Sequence, residues 1–269
     1  MTTPVANARM YSATPQIKAD WKQLLHWVLA RAGLQWEVIG YDPPAPLSSL
    51  WTRDDLGLVM MCGLPFAARI PTPLLVAAPI PSPARYGGRP VYFTDIVVRA
   101  DSAFHRLEDT FGGIVGYTLA DSFSGGIAFR SHLAPYRQAA GTRLFRGAVG
   151  NLIHARGVID ALASGAIDVG PLDSYYHDLL RRSAPAFAAQ VRVIASTDAM
   201  PIPPLVATAQ LSAGQLDSLR VALLAVADAP ALKALRERLL LQGFTIPRTS
   251  DYEALRAIAS RTVPAFEEL

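Results

Sequence analysis

The stretch Tyr117-Thr-Leu-Ala-Asp-Ser-Phe-Ser-Gly-Gly126 carries the strongest chemical signal in the chain. An apolar strand is expected to end near Tyr117 and a helix to begin near Ser124. Serine hydroxyls and unpaired backbone N–H groups then stand at the positive end of a helix dipole. Phosphate, phosphonate, sulfate or carboxylate binds at such a point without a lysine. Ser122 and Ser124 would supply hydroxyls, and Gly125 and Gly126 let an anion approach the backbone. The same residues also describe an ordinary serine N-cap followed by a turn, and the pattern alone does not choose.

Four other segments carry candidate residues. In Gly147–Arg156, Asn151 or His154 would point from a helix start into a cleft, with a surface or structurally satisfied His154 as the alternative. His154 has no partner at i+4, which argues against metal ligation. In Ile167–Tyr176, Asp173 would accept an amine or hydroxyl of a ligand beside Tyr175 or Tyr176, or simply cap the helix that follows. Tyr11, Ser12 and Thr14 join an expected strand to an expected helix. Cys62 and Gly63 follow another strand, and with no histidine or basic neighbour Cys62 reads as buried packing. No Gly-x-Gly-x-x-Gly, Walker lysine, Gly-x-Ser-x-Gly or His-Glu-x-x-His occurs, so no cofactor and no metal are expected.

Composition narrows the classes. The 269 residues are 51% hydrophobic and 17% charged, enough to bury a sizeable core and exclude dominant disorder. The longest apolar stretches fall short of the roughly 18 residues of a membrane span. One cysteine excludes an internal disulfide. The net charge is +3, but the basic residues are scattered, so nucleic acid is not an expected partner. Met1–Met10 lacks an apolar h-region, which reads as cytoplasmic for the chain as given, or periplasmic if a leader was removed.

Short apolar runs alternate with stretches of 3.6-residue periodicity, the pattern of α/β architecture with parallel sheets. Strands are expected at 8–11, 36–41, 56–61, 74–78, 91–99, 114–117, 167–172, 191–196 and 205–209. Helices are expected from Pro15 and at about 124–138, 151–164, 174–182, 213–227, 230–242 and 250–260. The tail beyond residue 200 reads as almost wholly helical and must pack on the first block. The expected domains are residues 1–94 plus 198–269 as lobe 1 and 95–197 as lobe 2, with two crossing connectors and a ligand cleft.

Together, Asp54–Pro65, Tyr92–Val98, Ser122–Gly126 and Gly165–Asp173 resemble the PhnD-like family, the substrate-binding proteins of phosphate, phosphite and phosphonate ABC importers. The resemblance runs over about residues 8–210 and is nearest to a leaderless branch. It implies a type II periplasmic-binding-protein fold, two α/β lobes joined by two crossing hinge strands. It also implies a small anionic ligand clamped between the lobes. The family's oxyanion-binding turn falls on Ser122, Ser124, Gly125 and Gly126. First-lobe positions fall on Tyr11, Ser12, Cys62 and Gly63, the acidic position on Asp173, and Tyr92 lies on a matching segment. A family histidine falls near His154, shifted by one position. The implied partners are the anion and an ABC permease, with a monomer or weak dimer as the assembly. The alternatives are a lyase-like cytoplasmic enzyme on the same scaffold, with Asp173, His154 and Asp95 as acid–base groups, and a ligand-reporting sensor.

Overall fold

The structure, a computed structural model, describes residues 3–42, 45–261 and 263–269. In chain order the strands among them are β1 (Val5–Asn7), β2 (Glu37–Val38), β3 (Leu56–Met60), β4 (Leu74–Pro81), β5 (Val91–Tyr92), β6 (Thr94–Arg99) and β7 (Ile114–Gly116). They continue with β8 (Gly147–Val149), β9 (Gly170–Asp173), β10 (Val191–Ser196), β11 (Met200–Pro201), β12 (Leu205–Ala207) and β13 (Leu241–Thr245). The chain forms two compact units. One holds Met1–Val91 and Pro201–Glu253, the other Tyr92–Met200 and Ala254–Leu269. The backbone passes between them at 91/92 and 200/201, on β5 and β11, which pair with each other. A third passage, at 253/254, was not expected.

The first unit is built on a six-stranded sheet in the order β13-β4-β12-β3-β1-β2. β1 runs parallel to β2 and to β3, as alternation of strand and helix predicts. β12 is antiparallel to β3 and to β4, and β13 is antiparallel to β4. The sheet is therefore mixed, because these two strands are supplied by the returning tail. The Pro15–Arg31 helix covers it with Ile17, Trp21, Leu24, Leu25, Val28 and Leu29 buried, each contributing roughly 1.5–3 kcal/mol. Thr14 caps this helix by accepting from the Ile17 N–H at 3.3 Å, and Pro15 takes the first helical position.

The second unit carries the sheet β10-β6-β9, antiparallel throughout, and the parallel pair β7-β8. A bridge between Val115 and Val169 sets β7 beside the residues leading into β9. Its core gathers Ile96, Val98, Val115, Phe129, Leu133, Val169 and, from the C-terminal segment, Phe266 and Leu269.

Several expected boundaries move. The first strand ends at Asn7, and Arg9–Tyr11 form a 3-10 turn. The run 91–99 breaks at Phe93, whose N–H donates to the Ser174 hydroxyl at 3.0 Å instead of extending a ladder. The helix expected from Asn151 begins at Ala155, since Asn151 and Ile153 have φ of 56° and 66°. The segment 230–242 turns at Leu240, φ 49°, into β13, where Phe244 buries against the sheet. Residues 254–269, expected with lobe 1, belong to the second unit, drawn there by the burial of Phe266 and Leu269.

Candidate functional site

The Ser122–Gly126 segment opens a helix, one residue earlier than sequence alone places it. Ser122 is the N-cap, and its Oγ accepts from the Gly125 N–H at 3.4 Å. Phe123–Ile127 form a π turn, closed by the Ile127 N–H donating to the Ser122 carbonyl at 3.0 Å. The Ala128–Ala140 helix continues it. A π turn is wider than an α turn, and both glycines are needed to seat it. A Cβ on Gly125 would strike the Thr118 side chain, with Thr118 Cβ at 2.9 Å. A Cβ on Gly126 would lie 2.5 Å from the Leu119 carbonyl oxygen and 2.9 Å from that of Ala120. The first N–H groups of this turn have no intrahelical acceptor, and the macrodipole adds positive potential there.

Two further elements of the same unit hold this turn. Thr94, buried at the start of β6, donates its hydroxyl to the Ser124 carbonyl at 2.8 Å. Thr94 is also the register partner of Asp173 across the β6-β9 pair. The Asp173 carboxylate caps the Ser174–Ser183 helix through Oδ1, which accepts from the N–H groups of Tyr175 and Tyr176, each at 3.0 Å. Thus Ser122–Gly126, Thr94 and Asp173 are brought to one end of one sheet. The loop before the Ala155–Ala163 helix joins them through Tyr117, which donates to the Val149 carbonyl and accepts from the Leu152 N–H. In that loop Asn151 is exposed, and His154 is an N-cap, its Nδ1 accepting from the Gly157 N–H at 3.2 Å.

Tyr117 has support that no local pattern announces. Its ring stacks on Phe266 with centroids 4.3 Å apart, and its hydroxyl donates to Glu267 Oε1 at 2.9 Å. That hydrogen bond, with burial and the Glu267 charge behind it, raises the Tyr117 pKa above the usual phenol value. Below the turn, Asp95 and His177 are completely buried, with His177 Nδ1 2.9 Å from Asp95 Oδ2. Ser196 donates to the other carboxylate oxygen at 3.1 Å. Asp95 is therefore an internal brace across β10, β6 and the Ser174–Ser183 helix. Tyr92, on β5, is also buried.

In the first unit, Tyr11, Ser12, Cys62 and Gly63 follow the C-terminal ends of β1 and β3, which are parallel neighbours. Such an edge is where open α/β sheets present ligand-binding loops. Tyr11 is buried and Ser12 half-buried, its hydroxyl reaching the Ala8 carbonyl at 3.4 Å. Cys62, buried, precedes the short Gly63–Ala68 helix.

The family model for the periplasmic phosphonate substrate-binding proteins of ABC transporters matches residues 11–252. This chain belongs to that family. Among solved structures, this phosphonate-binding family member is similar to a binding protein component of an ABC phosphonate transporter from Pseudomonas aeruginosa. The two share 18% identity and a TM-score of 0.76, over 96% of this chain and 86% of that one. It is also similar to PhnD1 from Prochlorococcus marinus in complex with methylphosphonate, at 15% identity, TM-score 0.75, over 96% and 97%. XAC2383 from Xanthomonas citri bound to ATP matches at 21% identity, TM-score 0.62, over 96% of both chains. At these identities the likenesses establish the fold, a type II periplasmic-binding-protein arrangement of two α/β lobes. None of the curated proteins matches the chain in sequence. No helix among the described residues is long and apolar enough to cross a membrane.

In this family member the Ser122 turn and Asp173 are legible in the sequence, whereas the supporting roles of Thr94, Thr118 and the Tyr117–Phe266 stack are not. Thr94 lies inside the strand expected over 91–99 and opens β6 only because the run breaks at Phe93. The stack joins residues 149 positions apart, which no spacing rule reaches.

Proposed function

We propose that this substrate-binding protein holds a small phosphonate or phosphate at the Ser122–Gly126 turn. The π turn carries the reading: it opens a helix, is capped by a hydroxyl, and is fixed from behind by Thr94 and Thr118. Preorganised N–H groups need no rearrangement to meet an oxyanion, and no lysine is required. The bound methylphosphonate of the similar Prochlorococcus marinus protein supports the phosphonate class. Asp173 lies on the same sheet end, with its Oδ1 accepting both capping bonds. The reading entails an ABC permease as partner and a place on the periplasmic side of the membrane.

Calorimetric titration with methylphosphonate, 2-aminoethylphosphonate, phosphate and sulfate tests this. Ser124→Ala and Ser122→Ala should each weaken the bound member of the panel about tenfold or more, since a charge-assisted hydrogen bond contributes about 1.5–3 kcal/mol. A folded protein that binds none of the four overturns the assignment. The three groups weighed for acid–base chemistry are otherwise employed, Asp173 and His154 as caps and Asp95 in its buried brace.

A further inference from the structure

A cavity of about 240 Å³ lies in the second unit, beyond the Ser122–Gly126 turn. One wall is formed by Ile127, Arg130 and Ser131, which share a face of the helix at spacings of three and four residues. The other wall comes from the C-terminal segment, through Ile258, Arg261 and Val263. Its charge is one-sided. Two guanidinium groups and a hydroxyl line it, and no carboxylate does among the described residues. Two of its polar atoms, Arg130 Nε and Ser131 Oγ, are buried and have no hydrogen-bond partner. Buried polar atoms in folded proteins are almost always satisfied, and each exception marks a missing partner. The two glutamates of the C-terminal segment have other partners: Glu267 Oε1 accepts from the Tyr117 hydroxyl and Glu268 Oε2 from the Ala265 N–H.

We propose that this cavity is a second anion site, separate from the Ser122–Gly126 turn, and takes a free oxyanion of the phosphate or sulfate class. A tetrahedral oxyanion offers acceptors to a guanidinium N–H, to a second guanidinium and to a serine hydroxyl at once, the geometry at which arginine excels. With water occupying about 30 Å³, the volume suits such an ion with a few waters. An anion here ties the Ala128–Ala140 helix to the C-terminal segment. Arg130 already lies over the Phe266 ring at 5.8 Å, so the ion would act on the same anchor that stacks on Tyr117.

The test is calorimetric and thermal titration of the full chain with inorganic phosphate, for wild type, Ser131→Ala, Arg261→Gln and Ser124→Ala. Arg261 is exposed, so its substitution leaves packing intact. The cavity predicts that Ser131→Ala and Arg261→Gln each weaken one phosphate-binding event about ten- to a hundredfold. They should also remove the phosphate-induced rise in Tm, whereas Ser124→Ala should retain that event. The proposal is overturned if wild type binds no phosphate at millimolar concentration. It is equally overturned if both cavity variants bind as wild type does, or if Ser124→Ala alone abolishes all phosphate binding. The last result would leave the turn as the anion site and the cavity as none.

Discussion

Gly125 offers the sharpest check on how the Ser122–Gly126 turn is built. In Gly125→Ala the new Cβ meets the Thr118 side chain. Rotating Thr118 about χ1 moves its hydroxyl and methyl aside but leaves Thr118 Cβ at 2.9 Å. Ordinary contact begins near 3.4 Å, so the turn must retreat by about 0.5 Å even in the best case. Overpacking of this kind costs about 1–3 kcal/mol. The retreat also moves the N–H groups that would meet the proposed anion. The loss of one charge-assisted bond, about 1.5–3 kcal/mol, corresponds to roughly ten- to 150-fold in affinity. Removing the obstacle should restore the site in order: Gly125→Ala alone worst, with Thr118→Ala better, with Thr118→Gly nearest to wild type. Gly126→Ala behaves differently, because its obstacles are the carbonyl oxygens of Leu119 and Ala120. No side-chain substitution relieves a backbone clash. The assay is calorimetric titration with the ligand of the wild-type protein, paired with Tm for each variant. Gly125→Ala that binds and melts as wild type refutes this account, as does rescue of Gly126→Ala by Thr118→Gly.

Three other outcomes follow from the same packing. Phe266→Ala should cost about 3–5 kcal/mol in chemical denaturation, since Phe266 is buried in the second unit's core. It should also expose Tyr117 to solvent, read as a rise in its fluorescence quenching by acrylamide. Burial lowers the His132 pKa below its ordinary 6.5. The unfolded chain then binds the proton first, so the stabilisation is complete above about pH 6.5 and declines as pH falls through the lowered value. His132→Gln should flatten that slope in Tm against pH. Asp95→Ala should destabilise by about 1–3 kcal/mol, because it leaves Nδ1 of fully buried His177 without its hydrogen-bond partner. Unfolding curves unchanged from wild type would show that the brace carries nothing.

The amphipathic 15–31 helix, with its threonine cap and first-turn proline, was readable because every determinant is local. So were β3 and β10, whose apolar runs stand between turn residues. Local reading failed where distant residues outbid propensity. Leu241–Thr245 has helical composition on either side, yet it pairs with β4, which is about 160 residues away. The strand expected over 91–99 is interrupted because Ser174 captures the Phe93 amide.

Chain order and residue type were sufficient for the α/β class, for the family, and for a serine-capped, glycine-rich helix start at Ser122–Gly126, since N-caps, glycines and strand-to-helix junctions are written within a few residues. Tertiary structure alone decided that the turn is a π turn wedged against Thr118 and held by Thr94. It alone decided that Asp173 shares its sheet end, and that the last sixteen residues support the second unit through Phe266. The physical reason is range. Capping and backbone freedom act over one helical turn, whereas stacking, strand register and the satisfaction of buried polar atoms depend on which remote segments the core has packed together.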